Sequence, residues 1–96
     1  MFELKAIKTV KKDLKSLHPK LAKEIKSQHF KKIKESPFES FELGYSFKGL
    51  RSYHFNFEGT SYRIIYEVFE KDRLVVVIMI GKRENFYEKL KRRLLN

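Results

Sequence analysis

Hydrophobic positions recur along this chain with two spacings, and the change between them divides it. The segment FELKAI (Phe2–Ile7) sets Phe2, Leu4 and Ala6 against Glu3, Lys5 and Ile7, a period of two that predicts a first strand. The spacing then lengthens. Val10, Leu14 and Leu17 fall on one face of a helix that Thr9 is placed to cap. His18-Pro19 breaks that helix, and Pro19 suits the first turn of a second one. The second helix runs to about Glu35, with Leu21, Ala22, Ile25 and Ile33 as its buried stripe, and Ser36-Pro37 stops it.

Residues 37–50 (PFESFELGYSFKGL) have no clear period; Gly44 and Gly49 bracket a loop or a poorly alternating strand. Beyond them the period returns to two. SYHFNFE puts Tyr53, Phe55 and Phe57 on one face and His54, Asn56 and Glu58 on the other. Gly59-Thr60-Ser61 is short enough for a hairpin turn, and YRIIYEVFE is a second strand dense in β-branched and aromatic residues. After Lys71-Asp72, RLVVVIMI is almost continuously apolar, which predicts a central strand covered on both faces. The closing ENFYEKLKRRLL spaces Phe86, Leu90 and Leu94 as a helix does. The expected fold is α+β: an N-terminal strand, a two-helix hairpin packed on an antiparallel sheet of about four strands, and a short C-terminal helix. The sheet face away from the hairpin is expected to be open, wet and basic.

Composition narrows the chemistry. Ninety-six residues suit one domain, 1–96, and nine Phe and five Tyr fill its core. There is no cysteine, which excludes disulfides, thiolate zinc sites and cysteine nucleophiles. No apolar run is long enough for a signal peptide or a membrane span, so a cytoplasmic protein is expected. Lys and Arg number 22 against 12 Asp and Glu, a net charge of +10, and both halves of the chain are basic. Such a field attracts polyanions, nucleic acid first among them; the plain alternative is solubility.

No glycine-rich phosphate loop precedes a helix, and His18, His29 and His54 lack metal-ligand spacing. The carboxylates are scattered, so no metal or other cofactor is expected, and phosphodiester cleavage would have to proceed without a metal. That reaction needs a base for the ribose 2′-hydroxyl, cations for the developing charge and an acid for the leaving oxygen. His54 and Asn56 share a strand face, Arg63 opens the next strand, and Arg83 and Tyr87 follow the apolar strand four residues apart. Each also has an ordinary reading: His54 as a solvated strand residue, Arg63 as a partner for Glu67, Lys82 and Arg83 as a polar strand end, and Tyr87 as a half-buried contact. Lys89, Lys91, Arg92 and Arg93 on the last helix form either a solvated face or an edge that tracks phosphates.

Tyr62-Arg63-Ile64-Ile65-Tyr66, a turn and an apolar strand, then Gly81-Lys82-Arg83-Glu84 followed by Tyr87, resemble the RelE branch of the RelE/ParE toxin superfamily. The resemblance covers the C-terminal half in residues and the helical half in order and length. It implies the small RelE fold and a type II toxin that enters the ribosomal A site and cuts mRNA without a metal, silenced by a cognate antitoxin protein. It matches Arg63 and Arg83 to the arginines that hold the scissile phosphate, and Tyr87 to the tyrosine that orients the substrate or activates the 2′-hydroxyl. His54 and Asn56 stand where well-known members carry two lysines; a histidine titrates near neutrality and can act as acid or base there. Arg51, Asn56, Lys82, Lys89 and Arg92 are the expected RNA contacts, 16S rRNA and mRNA the expected partners, and a monomer the expected free form. The rival reading is a ParE-like toxin of the same fold that inhibits DNA gyrase by binding and cuts nothing.

Overall fold

A computed structural model describes residues 1–95. Its elements are β1 (Glu3–Ala6), α1 (Lys8–Lys15), α2 (Pro19–Glu24), a π-helical turn (Ile25–His29), α3 (Phe30–Glu35), β2 (Phe41–Glu42), a 3-10 turn (Tyr45–Phe47), β3 (Leu50–Phe57), β4 (Thr60–Phe69), β5 (Leu74–Lys82) and α4 (Phe86–Leu95). The sheet order is β1-β5-β4-β3-β2. β1 runs parallel to β5 and the other pairs are antiparallel, so the sheet is mixed and five-stranded. The middle strand is β4. β5, expected at the centre for its apolar run, lies one place out, and helices on both faces explain its composition.

α1 begins one residue before the expected cap. Ile7 precedes it without a side-chain cap, and Thr9 lies inside the helix. The entry is fixed instead by the main chain, where the Ile7 N–H donates to the Val77 carbonyl at 3.0 Å. His18 caps α2 through Nδ1, which accepts from the Lys20 N–H at 3.1 Å, and Pro19 occupies the first helical position as expected.

The π turn has a cause legible in the spacing. Leu21, Ile25, His29 and Ile33 are all buried, four residues apart. Twelve residues at 3.6 per turn rotate Ile33 about 120° away from Leu21, and the wider turn absorbs about one residue of that drift. His29 comes inward with it and is fully partnered: Nδ1 to the Tyr53 hydroxyl at 2.8 Å, Nε2 to the Glu24 carboxylate at 2.9 Å, and the ring stacked on Phe55 at 4.0 Å.

β3 and β4 join through Glu58 and Gly59, both at positive φ (48° and 81°), a two-residue hairpin turn. The turn thus precedes the expected one, and Thr60 and Ser61 belong to β4, paired with Phe57 and Asn56. A bulge follows in the next pair: Ile65 opposes Met79 and Tyr66 opposes Val77, which leaves Ile78 unmatched.

Two cores result. Phe2, Val10, Leu21, Ile25 and Ile33 pack on Tyr62, Ile64, Tyr66, Val75 and Val77 on one face. On the other face, Phe86 and Leu90 of α4 cover Leu50, Ile65 and Met79. The second face is therefore not open along its length, as the sequence led us to expect. Only its β3–β4 end remains polar.

Candidate nucleic-acid interface

Alternation along β3 puts Ser52, His54 and Asn56 on the α4 side of the sheet. The register sets His54 directly opposite Arg63, and Arg63 opposite Gly81, so one row crosses three strands. A Cβ on Gly81 would stand 3.5 Å from the Phe86 ring. The glycine thus leaves room for that ring and is not at positive φ; the sharp exit from the strand is made by Asn85, at φ 51°.

The Arg63 guanidinium lies 5.1 Å from the Tyr87 ring centre and 5.9 Å from that of Phe86. The two rings are nearly perpendicular, at 85°, so they hold the cation in an aromatic corner and leave N–H groups that no carboxylate occupies for a ligand. Tyr87 is braced in turn by Phe47 at 5.8 Å. Arg83 follows β5 directly, and its N–H donates to the Ser61 carbonyl at 3.1 Å, which pins the turn to the start of β4. The Ser61 hydroxyl donates to the Asn56 side chain at 2.9 Å. Among the described residues no carboxylate pairs with Arg63, Arg83 or Lys82, so their charge is free for an anion.

His54 is held by two contacts. Its Nε2 lies 2.8 Å from the hydroxyl of the fully buried Ser52, and its ring lies 5.0 Å from that of Phe41. Partial burial, and then the positive charge of Arg63, lower its pKa below the usual histidine value. The imidazole is therefore neutral near pH 7. Either atom of the Ser52 contact can be the donor; in the tautomer that donates Nε2–H to Ser52, Nδ1 carries the lone pair that can take a proton.

His54, Arg63, Tyr87, Asn56 and the Arg83 turn thus gather at one end of the sheet. The remaining predicted residues do not. Arg51 faces the helical hairpin, where it donates to the Phe38 carbonyl at 2.9 Å, the Ser40 carbonyl at 2.5 Å and the Ser40 hydroxyl at 3.2 Å. It holds the loop before β2, together with the Tyr66 hydroxyl on the Pro37 carbonyl at 2.6 Å, and so lies on the sheet face away from His54, apart from the other residues expected to contact RNA. Lys82 pairs with Tyr62, a residue of the hairpin-side core, so it points away from the row. Lys82 and Lys89 instead line a groove of about 450 Å³ between α1 and α4 with Asp13 and Leu17. Arg92 is exposed farther along α4, beside Glu88 and Leu95.

Sequence reading missed a clasp. Both Asp13 oxygens accept from Arg93, at 2.6 and 2.8 Å. Asp13 also accepts the Ile80 N–H at 3.1 Å, and Arg93 donates to the Ile78 carbonyl at 3.0 Å. β1 covers β5 only as far as Val77, and this pair satisfies the strand edge beyond it. The available hint was that Asp13 is the only acidic residue in α1, KTVKKDLK. Phe41 and Ser52 were missed as well, although Ser52 shares the alternation of His54. Among the described residues, no three His, Asp or Glu side chains gather to hold a metal ion, and no helix is long and apolar enough to cross a membrane.

Comparison with known proteins follows the same lines. Residues 4–91 match the family described as ParE-like toxin of type II bacterial toxin–antitoxin system. No curated protein matches the chain. The fold is that of the toxin–antitoxin complex RelBE2 from Mycobacterium tuberculosis (TM-score 0.73, 22% identity, 85% of this chain and 91% of that one). A double-arginine mutant of the Escherichia coli toxin RelE in the free state gives TM-score 0.73 at 22% identity over 97% of both chains. The archaeal RelE–RelB complex from Pyrococcus horikoshii gives TM-score 0.56 at 22% identity, over 86% of this chain and 96% of that one. With 88 of its 96 residues inside the family's pattern and the RelE fold throughout its sheet, the chain belongs to the ParE-like toxin family of type II bacterial toxin–antitoxin systems.

Proposed function

We propose that this toxin is a ribosome-dependent, metal-independent endoribonuclease that cuts mRNA in the A site and so stops translation in the cytoplasm. The observation that carries the reading is the row itself: a neutral imidazole directly opposite an unpaired arginine, with a tyrosine ring 5.1 Å from its guanidinium. Arg63 and Arg83 hold the scissile phosphate and stabilise the charge that grows on its oxygens. His54 Nδ1 takes the 2′-hydroxyl proton. The 2′-oxygen then bonds to phosphorus as the bond to the 5′-oxygen breaks, leaving a cyclic phosphate and a 5′-hydroxyl protonated from solvent. Tyr87 orients the nucleotide, and Asn56 buttresses the turn beside it. Lys82, Lys89 and Arg92, which stand off the row, contact flanking phosphates of mRNA or 16S rRNA. The solved relatives bound to antitoxins support a cognate antitoxin as the inhibitory partner of this chain.

The test is brief expression in a bacterium with mapping of the 5′ ends of a translated message. The reading expects new ends confined to translated codons, lost in Arg83→Ala and reduced in His54→Ala. Intact messages with accumulating gyrase–DNA cleavage complexes overturn it in favour of gyrase inhibition.

A further inference from the structure

On the far side of His54 from Arg63 lies a cavity of about 320 Å³ that the cleavage chemistry does not use. Lys32, Glu35, Glu39, Phe41, Ser52 and His54 are among its lining residues. Its wall at Phe41 is unusual. Phe41 sits on the two-residue strand β2 directly opposite Ser52, which puts its ring on the same sheet face as His54. It is 67% exposed and joins neither core, so its apolar surface is not there for folding. Its ring lies 5.0 Å from the imidazole, tilted by 34°. An exposed aromatic ring beside a phosphate-binding row is the arrangement on which an unstacked base of single-stranded RNA packs.

The charge of the cavity points the same way. In a chain of net charge +10, it is lined by two carboxylates, Glu35 and Glu39, against one lysine. Neither Glu is in an ion pair among the described residues. Carboxylates repel phosphate and accept hydrogen bonds from exocyclic amino groups, as they do from the amino group of cytosine. A volume of this size is at the lower end of small-molecule sites, fit for one ring system and little more.

We propose that this cavity is a nucleobase subsite, in which the base beside the phosphate held at Arg63 stacks on Phe41 and is selected by Glu35 and Glu39 for an exocyclic amino group. The inference rests on the nuclease reading for its substrate, but its test does not depend on cleavage. The full-length toxin is titrated with cytidine 3′-monophosphate, uridine 3′-monophosphate and ribose 5-phosphate while backbone amide signals are followed by NMR. Cytidine monophosphate should move the Phe41, Ser52 and His54 signals more tightly than uridine monophosphate does, and ribose 5-phosphate should leave Phe41 unmoved. Phe41→Ala should weaken cytidine monophosphate binding about tenfold without weakening ribose 5-phosphate, and Phe41→Trp should restore it. Glu35→Gln with Glu39→Gln should abolish the preference for cytidine over uridine. The subsite is overturned if sugar phosphate and nucleotides bind alike, or if Phe41→Ala changes nothing; mRNA cleavage dependent on Arg83 would survive that result. Base-dependent shifts at Phe41 in a toxin that leaves every message intact would keep the subsite and discard the nuclease.

Discussion

Two arginines serve the two ends of α4 in opposite ways. Arg93, in its last turn, has its donors on both Asp13 oxygens and the Ile78 carbonyl. Arg63, beneath its first turn, sits over the rings of Phe86 and Tyr87 and has no carboxylate partner among the described residues. One completes the fold, since a β5 edge beyond the reach of β1 must have its N–H and C=O groups satisfied. The other is held in place by ring faces, which fix a guanidinium without consuming its hydrogen bonds. The lesson is that an arginine is marked as a site residue by what its donors lack.

The largest effect expected from this contrast is on chemistry. Arg63→Ala should lower cleavage of a translated message by about 100- to 1,000-fold, the loss typical of removing one preorganised stabiliser of transition-state charge. Its unfolding free energy in urea should change by no more than about 0.5 kcal/mol, as for a surface substitution. A loss of about 2 kcal/mol or more would make Arg63 a structural residue like Arg93 and erase the contrast.

Asp13→Ala should do the reverse. It strands Arg93, and it leaves the Ile80 N–H without its acceptor. Breaking a buried pair costs about 3–5 kcal/mol; with Asp13 12% and Arg93 24% exposed, solvent screening brings the expectation to about 2–3 kcal/mol in urea unfolding. Arg93→Ala should cost a similar amount and the double variant little more, because the two act as one unit. Cleavage per folded molecule should be unchanged.

A finer probe is the proton on His54. The Arg63 charge contributes to holding its pKa below the ordinary value, so Arg63→Gln should raise the pKa read from the His54 ring protons by NMR titration. The sign extends to folding. Below the ordinary histidine value the unfolded chain binds this proton more readily than the folded one, so the His54 contribution to stability rises as the pH rises through that region. In the cleaving toxin, activity should rise with pH across the same window and then level off, as expected of a base. An Arg63→Gln variant whose His54 titrates unchanged would show that burial alone sets the shift.

How much of this was legible in the sequence follows from what each feature depends on. Strand and helix types followed from period, because alternation and helical spacing are local. The residues of the row were legible too, since His54 and Asn56 alternate with the Phe residues and the motif around Arg63, Arg83 and Tyr87 is short. Pairing was not. The Glu58-Gly59 turn starts one residue early and gives Thr60 and Ser61 to β4, and the bulge at Ile78 decided which apolar residues faced α4. Arg51 reads like Arg63 in composition, yet it sits three positions from His54 and hence on the opposite face, where the loop at Phe38–Ser40 takes its donors. Asp13 and Arg93 lie 80 residues apart, a separation that no local pattern bridges.

The smallest expected effect bears on the junction between the two ends of the site. A glycine at the end of an apolar strand suits a sharp exit from it, and a residue needed for such a bend does not tolerate a side chain. The structure assigns the bend to Asn85 and gives Gly81 a different task, to lie flat beneath Phe86 and opposite Arg63. An alanine methyl would meet the ring at ordinary contact distances, 3.5 and 3.7 Å. Gly81→Ala should therefore be neutral or stabilising, by about 0.4–1 kcal/mol, through the reduced freedom of the unfolded chain. A β-branched valine reaches farther into the ring and should displace Phe86, and with it the support of Arg63, so Gly81→Val should lose cleavage before it loses stability. If alanine instead costs more than about 1 kcal/mol in urea unfolding, the glycine is needed for its backbone, and Arg63 is positioned by the turn rather than by the aromatic pair.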